Sequence, residues 1–103
     1  MTGSTKTIQL RRYRIIDGEM DAFLDWWSSH IPPLREKAGF AIEFGYADRD
    51  NNQFVWAVSV PGDREAFLRA ERAYNDSDER SKIFEGVPQR VSEMVVSFVT
   101  PFA

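Results

Sequence analysis

The chain has 103 residues with a net charge of −3, no cysteine and a single histidine. This length predicts one compact domain, and the charge balance argues against nucleic acid as a partner. Without cysteine there are no disulfides, thiolate ligands or cysteine nucleophile, and we expect neither a metal site nor a cofactor.

No apolar run approaches the roughly 20 residues of a membrane span, so we expect no membrane insertion. The opening residues "MTGSTKT" lack the hydrophobic core of a signal peptide, which favours a cytoplasmic location. Residues 1–6 are predicted to be a disordered tail, and residues 7–103 a single domain.

The first predicted element is a strand over "TIQLRRYRII", which is rich in β-branched and aromatic residues. Its alternation is imperfect, and we expect a bulge near Arg11 and Arg12. A helix follows, with Asp17 as the predicted N-cap. Pro32 and Pro33 are expected to break or kink this helix, because proline cannot donate a backbone hydrogen bond.

Two further strands are predicted over "FAIEFGYA" and "QFVWAVSV", joined as an antiparallel hairpin by the short polar turn "DRDNN". Alternation in the first of these strands places four apolar residues on one face: Phe40, Ile42, Phe44 and Tyr46. In the second strand, Phe54, Trp56 and Val58 share a face, which we assign to the interior of a barrel.

The second half of the chain predicts a helix capped by Asp63, a further helical turn capped by Ser77, and a last strand over "VSEMVVSFV". The order β-α-β-β-α-β indicates a ferredoxin-like α+β fold, with a four-stranded antiparallel sheet and both helices on one face. The other face carries apolar residues, which predicts a homodimer with two sheets packed together.

The opening "QLRRYRIIDGEMDAFLDWWSSHIPPLREKAGF" resembles that of NIPSNAP-family proteins, and "FVWAVSVPGDREAFLRAERAY" is similar to their second half. The resemblance covers residues 8–100. It departs from the usual pattern after His30, where Ile31, Pro32 and Pro33 stand. The matching positions are Leu10, Arg11, Tyr13, Gly18, Phe23, Trp27, His30, Pro33, Leu34, Gly39, Phe54, Val55, Trp56, Arg64 and Tyr74.

The resemblance implies a dimeric α/β barrel with an interior cavity, a class that also contains monooxygenases and isomerases. It implies no defined reaction. We therefore carry three hypotheses: a protein that binds a small apolar or aromatic molecule, a cofactor-independent monooxygenase or isomerase, and a structural protein whose barrel is filled by its own side chains.

The candidate catalytic residues are His30 and Glu43. The imidazole of His30 suits a general acid or base, although bonding to free helix-end carbonyls is the commoner role of such a histidine. Glu43 would become a base if burial raised its pKa, whereas exposure on an edge strand is the commoner outcome.

The candidate ligand-binding residues are predominantly aromatic, which suits a flat apolar ligand. Four of them also have a structural interpretation: Arg11 as an ion pair with Glu43, the two tyrosines as packed rings, and Trp56 as dimer core. Trp26 is predicted to frame the cavity entrance beside His30. The full set is Arg11, Tyr13, Trp26, Tyr46, Phe54 and Trp56.

Overall fold

The computed structural model describes residues 5–102. Its four strands are Lys6–Ile15 (β1), Ala41–Asp48 (β2), Gln53–Pro61 (β3) and Val91–Val99 (β4). Its helices are Met20–Lys37 (α1), Arg64–Asn75 (α2) and Asp78–Phe84 (α3), and a 3-10 turn at Arg49–Asn51 joins β2 to β3. Residues 1–4 of the predicted tail lie outside the described residues, and β1 already includes Lys6.

The strands form one antiparallel sheet in the order β2-β3-β1-β4. In each half of the chain, a helical segment connects two strands of the sheet. The two central strands are β1 and β3. This is the ferredoxin-like arrangement, and the predicted fold is confirmed. No helix of the described residues is long and apolar enough to cross a membrane.

Side-chain N-caps mark the starts of α2 and α3, as the sequence predicted. Asp63 accepts a hydrogen bond from the Ala66 amide (2.9 Å), and Ser77 accepts one from the Arg80 amide (3.2 Å). The prediction for Asp17 is wrong, because α1 begins only at Met20. Asp17 instead accepts a hydrogen bond from the Asn52 side chain at 2.6 Å.

Of the break or kink expected at Pro32 and Pro33, the break is wrong, because α1 continues through both prolines to Lys37. Each proline lacks an N–H, which leaves the carbonyls of Ser28 and Ser29 without a helical donor. Both serines are exposed, so water can bond to these carbonyls. Ile31 and Arg35 are buried on either side of the proline pair and hold the helix against the sheet.

The predicted bulge near Arg11 and Arg12 is absent, since β1 pairs with β3 in continuous register from Lys6 to Arg14. A register shift occurs later, between Arg14 and Ile15, where β1 pairs with β4. Arg11 consequently shares the helix-covered face with its partner Trp56, and Arg12 lies on the opposite face.

A register shift between Ile42 and Phe44 changes the face of the residues that follow in β2. Ile42 pairs with Val58 on the helix-covered face, whereas Tyr46 pairs with Val55 on the other face. The predicted common face for these residues is therefore wrong. A bulge inserts one extra residue and so reverses the alternation beyond it.

The core lies between the sheet and the helices. Trp27 of α1 packs edge-on against Phe54 and Trp56 of β3, with ring centroids 4.9 and 5.2 Å apart. Trp56 and Phe54 thus face a helix of their own chain, and their assignment to the space between two sheets is wrong. The sheet face away from the helices keeps exposed apolar residues, including Tyr46 and Val95, which are 68% and 60% exposed.

Candidate functional site

A cavity of about 350 Å³ opens between the helix-covered face of the sheet and the helices. Strands β1, β3 and β4 form its floor, α1, α2 and α3 contribute its walls, and residues 87–91 complete its rim. Its size falls in the range of small-molecule sites in proteins.

Aromatic rings form most of the cavity wall, and all three tryptophans of the chain line it. They pack as edge-to-face pairs, the favoured geometry for aromatic rings. Trp26 and Phe84 have centroids 4.9 Å apart, and Tyr13 and Trp56 are 6.2 Å apart. The aromatic members are Tyr13, Phe23, Trp26, Trp27, Trp56, Tyr74 and Phe84.

Arg11 enters the cavity because its position in β1 faces the helices. Its Nε donates a hydrogen bond to the Tyr13 hydroxyl (2.9 Å), and its Nη1 donates to Gln9 Oε1 (2.6 Å). Among the described residues, its Nη2 has only the sulfur of Met94 as an acceptor, at 3.6 Å. Because a thioether accepts weakly, this side of the guanidinium keeps donor capacity.

Arg35 is the most deeply buried charged residue of the site, and it stacks on Tyr74 with its guanidinium carbon 4.0 Å from the ring centroid. Its Nη1 lies 2.5 Å from Glu71 Oε1, while the other Glu71 oxygen lies 3.4 Å from Arg11. One carboxylate therefore serves two arginines. Burial raises the pKa of the Tyr74 hydroxyl, against the opposing effect of Arg35 and Arg80.

Two more arginines line the cavity. Arg90 pairs with Glu19 at 3.2 Å. Arg80 lies over the Phe84 ring at 4.3 Å, and no carboxylate of residues 5–102 forms an ion pair with it. Its backbone amide is held by the Ser77 cap, which fixes the start of α3 beside the cavity.

The structure brings four of the predicted ligand-binding residues together in this cavity: Arg11, Tyr13, Trp26 and Trp56. Phe54 lies beneath α1 and does not line the cavity. Tyr46 projects from the opposite sheet face, where it stacks on Phe44 at 5.3 Å. The bulge in β2 accounts for the position of Tyr46.

The two predicted catalytic residues do not line the cavity. His30 is exposed on α1, with its ring 6.0 Å from that of Trp26. Glu43 accepts hydrogen bonds from Ser59 (2.7 Å) and Lys6 (2.9 Å) at the far side of the sheet. These donors, Ser59 first, hold the pKa of Glu43 below its ordinary value, which opposes a role as general base. The predicted Arg11–Glu43 pair is also wrong, because Arg11 pairs with Glu71.

Several residues of the site were not among the predicted site residues: Arg35, Tyr74, Arg80 and Phe84 line the cavity, and Glu71 pairs with Arg35. Arg35 had a signal in the sequence, because it continues the four-residue spacing of Trp27 and Ile31 on the buried stripe of α1. A charge at a core position predicts a buried partner, although sequence could not identify that partner as Glu71. No cluster of metal-ligating side chains occurs in the described part of the chain.

Solved structures with this fold include several titled as NIPSNAP proteins. One from Burkholderia xenovorans has a TM-score of 0.80 and 13% identity, covering 94% of this chain and 95% of that chain. Another, from Agrobacterium tumefaciens, has a TM-score of 0.82 and 9% identity, covering 95% and 94%. A putative antibiotic biosynthesis monooxygenase from Bacteroides thetaiotaomicron has a TM-score of 0.71 and 16% identity, covering 96% and 91%.

No family model matches the sequence, and no curated protein matches it. At these identities, the likeness to solved structures establishes the fold, and activity must be argued from the site itself.

Proposed function

We propose that this chain is a NIPSNAP-like protein that binds a small, flat aromatic molecule in the cavity between its sheet and helices. The observation that carries the proposal is the aromatic wall of a 350 Å³ cavity, to which every tryptophan of the chain contributes. Such a wall favours a planar apolar ligand through burial and edge-to-face contacts.

The position of the polar groups supports a binding site over a filled core. Arg11 and Arg80 bring donors to a largely apolar wall, the combination that fixes a ligand's orientation in small-molecule sites. A protein whose interior serves only packing would fill this space with its own side chains, since protein interiors are close-packed. The structural hypothesis is therefore the weakest of the three.

Isothermal titration calorimetry with bicyclic aromatic probes tests the proposal. We expect 2-naphthoate or 2-naphthalenemethanol to bind with one site per chain and to quench tryptophan fluorescence, because all three indoles line the cavity. Absence of binding by both probes at millimolar concentration would contradict it.

A matched pair of variants locates the binding. Phe84 lines the cavity and is 38% exposed, so F84A removes an aromatic contact at modest cost to the fold. We expect F84A to weaken binding by about five-fold, which corresponds to the free energy of one aromatic pair. Phe102 is fully exposed, and F102A should leave affinity unchanged. Equal effects of the two variants would place the ligand elsewhere.

A cofactor-independent monooxygenase or isomerase is the second candidate. It is favoured by the Tyr13 hydroxyl, which accepts a hydrogen bond from Arg11 at 2.9 Å on the cavity wall, and by the similarity of the fold to that of a putative antibiotic biosynthesis monooxygenase. Oxygen uptake with phenolic substrates tests it. Turnover that survives in Tyr13→Phe, with the fold intact, would remove Tyr13 from the reaction.

A further inference from the structure

The cavity wall carries more positive charge than its nearest carboxylates balance. Four arginines line it, and none of the lining residues is Asp or Glu within the described range. Glu71 is shared by Arg11 and Arg35, and Glu19 serves Arg90. Among residues 5–102, the four arginines are therefore matched by two carboxylates and Arg80 pairs with none, although the whole chain is negative at −3.

Unpaired hydrogen-bond donors concentrate at the same place. Four buried side-chain nitrogens in residues 5–102 lack an acceptor: Trp27 Nε1, Arg35 Nε, Trp56 Nε1 and Arg80 Nε. All four belong to residues that line the cavity. Buried donors in proteins are nearly always satisfied by protein or by ordered water, so this cluster shows that the described side chains leave donor capacity unused beside the cavity.

From the excess charge and these donors we infer that the ligand is anionic, an aromatic carboxylate whose ring lies on the tryptophan wall and whose carboxylate pairs with Arg80. A guanidinium presents two parallel N–H donors that match the two oxygens of a carboxylate. Phe84 and Tyr74 flank the Arg80 guanidinium at 4.3 and 5.7 Å, which restricts its movement and orients this fork. This inference rests on the proposed binding function and specifies its ligand class.

Three probes with the same ring system separate charge from shape: 2-naphthoate is an anion at neutral pH, 2-naphthalenemethanol is neutral, and 2-naphthylmethylamine is a cation. We expect calorimetry of the unmodified chain to give 2-naphthoate an affinity at least about ten-fold above that of the neutral probe, as a charge-assisted hydrogen bond implies. The cationic probe should bind most weakly of the three.

Arg80→Gln tests the assigned partner. We expect it to lower the affinity ratio of 2-naphthoate over 2-naphthalenemethanol from at least about ten-fold to about one, since the change removes a charge-assisted bond and keeps the aromatic wall. Arg72→Gln is the matched control: Arg72 is exposed on α2 and does not line the cavity. It makes the same change in net charge and should retain the preference.

The outcomes distinguish the two claims. Equal binding of the anionic and neutral probes by the unmodified chain would overturn the inference and leave the binding function standing. A preference that survives Arg80→Gln would overturn the role of Arg80. Binding of none of the three probes would overturn both claims, and the unmodified chain decides this even where the variant folds poorly.

Discussion

At the residue scale, the site depends on ion pairs that bring charge into an aromatic core. Arg35 occupies a core position of α1 and is only 3% exposed, yet it carries a full charge. Glu71 compensates it from α2 and reaches Arg11 of β1 with its second oxygen. A single carboxylate therefore ties a helix, a second helix and a central strand together at the cavity.

Replacing Glu71 by Gln should destabilise the fold. The change leaves Arg35 and Arg11 as poorly compensated charges, and breaking a buried pair costs about 3 kcal/mol of unfolding free energy. Urea denaturation measures this loss. Glu65→Gln provides the control, since Glu65 pairs with Arg69 at the surface of the same helix and such pairs contribute little. Equal stability of the two variants would show that Glu71 does not anchor the cavity.

The residue scale also shows what sequence could predict of the site. Arg11, Tyr13, Trp26 and Trp56 were predicted from strand alternation, helical spacing and the family resemblance, and the structure brings them into one cavity. Arg80 was missed because its role comes from the aromatic rings around it and from the lack of a nearby carboxylate. Both are tertiary features that no local pattern contains.

At the element scale, local sequence patterns predicted the positions of the strands and the helix caps more reliably than the sheet face on which each side chain lies. The pattern "VSEMVVSFV" coincides with β4, and Asp63 and Ser77 cap the helices as predicted. The bulge in β2 carries no local signature, so alternation placed Tyr46 on the same face as Ile42, and the structure separates the two. The break expected at the prolines of α1 does not occur for a different reason. Buried side chains on both sides of the proline pair pack against the sheet, and this packing outweighs the lost backbone hydrogen bonds.

Glu43 lies in the β2 bulge and links it to the neighbouring strands, because its carboxylate accepts hydrogen bonds from Ser59 of β3 and Lys6 of β1. These donors lower the folded-state pKa of Glu43 below its ordinary 4.5. The ionised carboxylate therefore stabilises the fold above that pH, and this contribution disappears as the pH falls through the lowered pKa.

The variant Ser59→Ala removes the largest cause of that shift. We expect it to unfold more readily than the unmodified chain at neutral pH, with the difference shrinking as the pH falls below 4.5. Thermal unfolding followed by circular dichroism across this range measures it. A difference that stays constant down to the acid limit would mean that Ser59 acts through packing and not through the Glu43 carboxylate.

At the scale of the whole molecule, the order of elements was sufficient for the fold, because few topologies satisfy β-α-β-β-α-β with short connections. The position of the cavity was not predictable from that order. The sequence suggested a space between two sheets, and the structure encloses the cavity between one sheet and its own helices. The face then left open is the surface on which we propose that a second copy packs.

The dimer has its own test. Val95 lies on the open face of β4 and is 60% exposed, so Val95→Asp should leave the isolated subunit folded. If two sheets pack together, the buried carboxylate should convert the dimer to a monomer in analytical ultracentrifugation. Leu68→Asp makes the same kind of change on the outer surface of α2, where Leu68 is 41% exposed, and should remain dimeric. An unmodified chain that sediments as a monomer would contradict the proposed assembly.

The most direct test of the central claim is an NMR titration that observes the indole N–H signals. The chain has three tryptophans, and all of them line the cavity, so the three indole signals report on this site alone. We predict that 2-naphthoate shifts all three signals saturably, because all three rings line the cavity. Saturating 2-naphthoate that leaves the three signals unmoved would contradict a ligand site between the sheet and the helices.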